Sequence, residues 1–359
     1  MAASMINPVY SVKIISSSNG TIYNVTQALT DLSVGHNENE FAQRATINIA
    51  NTKVGNKYYD SLLAVKDEVY IYCNTGSGDK EVFRGIVWEK NYDESVSSMD
   101  IKVTAYDKLI YLQKSEDNLY FAKGKSTKSI LSSIASKWGV SLNYKYSSIT
   151  HGKLVFRGRN LADIIIEILD EVKKKTGKKY VIRCEKGSMI IEPFGTNTTI
   201  YDIKQKQNAI KTSYSSTMDE MVTKVLIIGS EDKSGQSSNL ATVKGNTSKY
   251  GTLQRVISKN DDDKLSEVKK EAQEIINEFG KPKVEPYISA ISNPYILKGH
   301  TVNIKAGNLN NKYNVLGVEH DCMKKEMYLE VVKAWIKVVL NWPLYFKKEW
   351  NVYQITEHL

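Results

Sequence analysis

The chain is poor in the residues that usually announce chemistry. Its 359 residues include three cysteines, six prolines and five histidines. Cys73, Cys184 and Cys322 lie far apart, are odd in number and form no CxxC. That excludes a disulfide framework and a thiolate metal knuckle, and buried thiols in a chain made in a reducing cytoplasm are expected. The histidines at 36, 151, 300, 320 and 358 form no HxxxH or HExxH pair, so the usual zinc signature is missing. There is no GxSxG elbow and no Walker loop. No run of 18 apolar residues occurs, which excludes a helical membrane span. The N-terminus has no apolar signal segment, and Met1–Ser4 read as an expression scar ahead of a start at Met5.

The few local clusters read as structure. In His320-Asp321-Cys322, neighbouring strand residues face opposite sides, so the three side chains do not converge without a bulge. Gly76-Ser77-Gly78 lacks the rest of a dinucleotide fingerprint and reads as a hairpin loop. Asp261-Asp262-Asp263 lacks the glycine and distal glutamate of a calcium loop and reads as a solvated helix start. No catalytic residue, cofactor or metal is therefore assigned.

What the chain has is strand pattern, used twice. A first copy runs Lys66-Asp67-Glu68-Val69-Tyr70-Ile71-Tyr72, then Phe83-Arg84-Gly85-Ile86-Val87-Trp88-Glu89, then Met99-Asp100-Ile101-Lys102-Val103. A second runs Lys298-Gly299-His300-Thr301-Val302-Asn303-Ile304, then Tyr313-Asn314-Val315-Leu316-Gly317-Val318-Glu319, then Met327-Tyr328-Leu329-Glu330-Val331. Each reads as turn, strand, loop, strand with an internal glycine, turn, strand. Val9–Ile15 alternates and meets Asn19-Gly20, a strong hairpin signal, and Ala45–Ala50 alternates as well. Residues 5–112 thus read as an antiparallel β-barrel or sandwich.

Helical spacing takes over beyond residue 112. Ile130, Leu131, Ile134 and Trp138 share one face of a helix from Thr127. Leu161, Ile164, Ile165, Ile168, Leu169 and Val172 form a full stripe over 161–176, with Asn160 as its cap and Gly177 as its end. With two following strands, residues 113–197 read as a small α/β domain. Strand character returns at Val222–Ile228, and residues 229–251 read as an exposed loop or long hairpin. A helix over 264–279, started by acidic residues and stopped by Gly280, interrupts a second β-barrel spanning 198–332. The expected architecture is α+β and multidomain: two similar antiparallel β-barrels flanking an α/β domain, one helix inserted in the second.

Charge is unevenly placed. The net +9 is concentrated in residues 113–210, with 18 Lys/Arg against 9 Asp/Glu. Its densest run is Lys173, Lys174, Lys175, Lys178 and Lys179, a candidate basic patch for an acidic partner or phosphates; the alternative is cations placed at a helix C-terminus. Residues 333–359 form an aromatic-rich tail in which Trp335, Trp342, Tyr345, Phe346 and Trp350 are candidate partner contacts. Lys123–Thr127 through Trp138-Gly139-Val140-Ser141 weakly resembles a LysM-type glycan-binding repeat. A cell-wall glycan-binding or lytic module, and a nucleic-acid-binding barrel, are the competing readings.

Phe83–Val87, the strand Asp100–Asp107 leading into the α/β segment, and the closing hairpin Gly317–His320 with Tyr328–Val331 resemble, in order and spacing, the XkdQ/YqbQ-type baseplate hub proteins of contractile tails, known from PBSX-like prophages and tail-like bacteriocins. The resemblance covers roughly residues 8–332. It implies tube-type β-domains and a homotrimer, six β-domains in a ring, joining a hexameric tail tube protein to a trimeric spike protein among other baseplate proteins. DNA would enter only as cargo through the channel, and the location would be the tail of a phage or tail-like particle. The segment after Val332 departs from the family pattern.

Overall fold

The computed structural model describes residues 7–95, 99–231, 236–259 and 263–334. The chain divides into two units, one formed by the described residues up to Thr212 and from Tyr287 onward, the other by Ser213–Pro286. About half of the residues are in strands, as the alternating runs anticipate.

In the first unit, the N-terminal strands are β1 (Val9–Ile15), β2 (Ile22–Asn24), β3 (Leu29–His36), β4 (Arg44–Ala50), the short β5 (Lys53–Val54) and β6 (Lys57–Tyr58), then, after helix α1 (Tyr59–Leu62), β7 (Glu68–Asn74), β8 (Asp79–Glu94) and β9 (Met99–Tyr106). The alternation places Val12, Ile14, Ala45, Ile47, Ile49, Val69, Ile71, Ile101 and Val103 on one buried face, and their opposite-face neighbours outward. Gly20, with φ +73, closes the β1–β2 hairpin.

The α/β segment follows: α2 (Ile110–Gln113), β10 (Glu116–Phe121), α3 (Thr127–Lys137), β11 (Ser141–Tyr144), β12 (Leu154–Asn160), α4 (Leu161–Thr176), β13 (Tyr180–Glu185) and β14 (Ser188–Pro193). Ser126 caps α3 by accepting the Ser129 N–H; Asn160 caps α4 by accepting from Ala162 and Asp163. The apolar stripes of both helices share a core with Met189 and Ile191 of the β11-β14-β13 sheet.

The C-terminal strands of this unit are β15 (Tyr201–Lys204), β16 (Ala209–Thr217), β20 (Lys283–Ile291), β21 (Thr301–Ala306), β22 (Leu309–Asp321) and β23 (Glu326–Lys333), with the unit boundary falling inside β16 and β20. Between those two strands the second unit holds β17 (Lys224–Glu231), β18 (Ser237–Lys244), α5 (Thr247–Tyr250), β19 (Gln254–Ser258) and α6 (Leu265–Phe279). Val268, Ala272 and Ile276 of α6 cover Val225 and Ile227 of β17. The insertion is therefore a small α/β body with its own core, larger than the single helix expected. The described residues of the stretch 229–251 include the end of β17, β18 and α5. Asp261 and Asp262 lie outside the described residues.

The two strand copies follow one template. In both, a residue with positive φ precedes the first strand: Lys66 at +75° and Gly299 at +90°. Lys66 N–H donates to the Val87 carbonyl and Val87 N–H to that of Asp67; Gly299 donates to Val315, and Val315 to His300. One residue is then bulged from the middle strand in each copy, between Val87 and Glu89 and between Val315 and Gly317. Val103 pairs with Ile47, and Leu329 with Ile288, so the fourth strand is matched too. Asn51 N–H bonds the Met99 carbonyl as Ser292 N–H bonds that of Lys325. The strand orders agree over six positions, β1-β7-β8-β9-β4-β3 and β15-β21-β22-β23-β20-β16. One difference is direction: β1 meets β7 antiparallel, while β15 meets β21 parallel. The internal glycines do not correspond, since Gly85 matches Tyr313 and Gly317 matches Glu89.

The sheets are not closed. The hydrogen-bonded path runs open from β16 to β2, in place of the two separate barrels expected from sequence. The reason lies in β22, whose N-terminal part pairs with β21 and whose last residues, Val318–Asp321, pair with His36–Ser33 of β3. The edge is consumed by the other copy.

Candidate assembly surfaces

The β22–β3 joint brings together groups from both ends of the chain. Its centre is Lys298, 5% exposed, whose Nζ donates to the carbonyls of Asn37, Glu38 and Glu40 at 2.8, 2.9 and 2.9 Å. An ammonium has three donors, and three carbonyls match them. Burial pulls its pKa down to about 7, against the opposing pull of Glu40, Glu38 and Glu330. His36 Nε2 donates to the Glu40 carbonyl at 3.0 Å, and burial together with the Lys298 charge holds its pKa well below the ordinary value. Glu330 accepts the Glu38 N–H at 3.2 Å. Gly35 lies so close under Glu319 that a Cβ there would meet its carboxylate oxygen at 1.6 Å. Glu319 in turn meets Arg44 at 3.5 Å. The sequence flagged Lys298 only as the turn opening the second copy; nothing local marks its acceptors, some 260 positions away.

Beside the joint, Tyr10, His36, Arg84, Arg183, Tyr295 and His320 help line a cleft of about 190 Å³. That is below the roughly 300 Å³ at which small-molecule sites begin. Most of its polar groups have partners, while Arg84 Nε and Arg183 Nη1 are buried without a hydrogen bond among the described residues. Arg183 donates to Glu192 and Glu185 at 2.6 Å each. His320 accepts from Ser292 at Nδ1 and donates to the Ile296 carbonyl from Nε2, and burial lowers its pKa to about 4. Burial pushes the Cys322 thiol well up, so it stays protonated. In His320-Asp321-Cys322, Asp321 instead binds Lys324 at 2.8 Å.

Lys173, Lys174 and Lys175 occupy the last turn of α4, where the helix carbonyls are negative, and Gly177 with φ +68 ends the helix. Lys175 pairs with Glu171 at 2.7 Å and Lys173 with Asp170 at 3.9 Å. Lys178 and Lys179 follow in the connection to β13, where their carbonyls accept from Tyr146 and Phe194. Trp335, Trp342, Tyr345, Phe346 and Trp350 lie outside the described residues.

Among the strand edges that lack a partner on one side in the described residues, two belong to corresponding places of the repeated template. β16 ends the sheet path, and β8 beyond Val87 pairs only with β9. Exposed apolar side chains accompany both: Trp88 and Tyr92 on β8, Ile210 and Tyr214 on β16.

Comparison with known proteins agrees with this architecture. The chain is 25% identical over 256 residues to the phage-like element PBSX protein XkdQ of Bacillus subtilis, covering 68% of this chain and 77% of that protein. Its fold matches the 43 kDa tail protein of prophage MuSo2 from Shewanella oneidensis with a TM-score of 0.68 at 11% identity, over 91% of this chain and 98% of the other. It also matches a tail protein from Neisseria meningitidis with a TM-score of 0.63 at 12% identity, over 90% and 96%. The YQBQ-like family model matches residues 37–332, a span that includes both strand copies and the α/β segment between them, and the chain belongs to that family.

Proposed function

We propose that the chain is the structural hub of a contractile-tail baseplate. It acts as a homotrimer whose two β-domains per chain, 5–112 and 198–332, form a pseudo-sixfold ring around a channel. The α/β domain 113–197 stands between them in sequence. The ring joins the hexameric tail tube to the trimeric spike, and its role is mechanical rather than enzymatic. The observation that carries this reading is the shared template of the two copies. Two equivalent domains in each of three chains supply six similar positions, which is what a threefold-to-sixfold adaptor requires. The prophage tail-protein fold and the relation to XkdQ support the same placement. Trp335, Trp342, Tyr345, Phe346 and Trp350 then serve as contacts to a neighbouring baseplate protein. Lys173, Lys174, Lys175, Lys178 and Lys179 serve as a basic surface for an acidic one.

Light scattering on the purified chain, with images of the particle, tests this. A trimeric mass and a ring of six lobes around an opening are expected. A monomer at every accessible concentration, or a dimer without a channel, overturns it.

A further inference from the structure

We propose that the bare edge of β8 from Lys90 to Asp93 pairs antiparallel with β16 of a second copy of this chain, repeating between chains the β22–β3 joint found within one chain. This rests on the trimeric-ring reading and names the strands that would close it.

The template fixes the correspondence. Val318–Asp321 lie three to six positions beyond Val315, the valine that bonds His300; Lys90–Asp93 lie three to six positions beyond Val87, which bonds Asp67. Each stretch follows the same bulge and pairs on its inner side with the same neighbour, β23 or β9. In β22 this stretch has a second partner, β3. In β8 it has none among the described residues. The strand equivalent to β3 is β16: each is the outermost of its six, next to β4 or β20. β3 is covered by β22, and β16 is bare on that side. Each chain thus carries one satisfied joint and the two unmatched halves of another.

Register follows by counting. Thr46 and Tyr287 are equivalent, because they face Thr104 and Glu330 across matched pairs. Ser33 faces Thr46. The Ile291 N–H bonds the Asn208 carbonyl at 2.8 Å, and counting from that bond along antiparallel strands sets Thr212 opposite Tyr287. Thr212 therefore takes the place of Ser33, and Tyr214 that of Gly35. Transferring Asp321↔Ser33 and Glu319↔Gly35 gives Asp93 opposite Thr212 and Asn91 opposite Tyr214 of the second copy. The surfaces suit burial: Tyr92 is 41% exposed, Ile210 52% and Tyr214 66%. The β8 stretch Glu89–Glu94 carries three acids and one lysine, while β16 carries Lys211 and no acid. Exposed edges of this length are templates for strand addition. A head-to-tail contact of this kind generates rings when its rotation closes.

Cysteine pairs placed in the full chain test it. Asn91→Cys is combined in turn with Thr212→Cys, Tyr214→Cys and Ser216→Cys, which share one strand face. Ser33→Cys with Asp321→Cys is the control, and after mild oxidation it migrates as a single chain. Disulfide-linked dimers and trimers from at least one Asn91 pair, absent in each single-cysteine variant, are expected. A protein that is trimeric by mass yet gives no linked chains with any of the three pairs overturns the edge pairing and leaves the trimer standing. A protein that is monomeric by mass and unlinked overturns both.

Discussion

Replacing Lys298 by Met tests the β22–β3 joint directly. Methionine keeps the stem and removes the ammonium that holds three carbonyls of the 37–40 turn. Each deprived carbonyl costs about 1 kcal/mol, toward the low end because the turn residues are only half-buried and water reaches them. The sum is about 3 kcal/mol, in line with removal of one member of a buried charged cluster. Hydrogen exchange on the segments 29–44 and 318–332, with urea unfolding as the global measure, should show the joint opening first. A pH series adds a sharper criterion. Burial lowers the Lys298 pKa to about 7 in the fold. The unfolded chain keeps that proton up to about pH 10.4. Between those values the unfolded state binds more protons, so wild-type stability rises with pH relative to Lys298→Met. From pH 7 to 8 the gap should widen by about 1 kcal/mol. An unchanged exchange pattern in the variant, or a gap that stays flat over this window, refutes the reasoning.

The remaining predictions concern other parts of the chain. Acid should destabilise the fold: burial lowers His300 and His320 to about 4 and His36 well below its ordinary value, so the unfolded chain takes up protons that the fold refuses as pH falls from 6.5 to 4. Each contributes up to about 1.4 kcal/mol per pH unit. Asp107, pushed up to about 7 by burial, works in the opposite direction, leaving a net loss on acidification; a urea midpoint unchanged between pH 6.5 and 4.5 would contradict this. Gly35→Ala should cost about 1–2 kcal/mol by displacing the Glu319 carboxylate, and should be nearly neutral in a Glu319→Ala background. A double-mutant cycle with no coupling would show that the two positions do not meet. Asn160→Ala should cost about 1 kcal/mol, read as faster exchange of the first turn of α4, because the Ala162 and Asp163 N–H groups lose their acceptor.

The helices were the most legible part of the sequence. The stripes of α3, α4 and α6 are period-3.6 patterns that need only a local face, and Asn160 and Gly177 mark the ends of α4 by local chemistry. The two copies could be seen for the same reason, since alternation is local. Their alignment could not. Sequence matches glycine to glycine, whereas hydrogen bonds match Val87 to Val315 and put Gly85 opposite the role of Tyr313. The joint was also invisible, because strand pairing across such distance leaves no periodic trace. Lys298 reads as a surface turn residue until its carbonyl partners are known. The size of the insertion is hidden in the sequence because the polar residues of 229–251 resemble a loop, yet part of them forms β18 against α6.

The late partner of β3 has a consequence for biogenesis. Val34 is synthesised 286 residues before His320, which it faces across the joint. At about 5–20 residues per second, the outer edge of β3 waits on the order of tens of seconds for its mate. During that interval the nascent N-terminal half presents an open strand edge to every other half-made chain nearby. Polysomes carrying several copies of this message would bring such edges together, and a chaperone that shields the first hundred residues would matter more for yield than one acting after release.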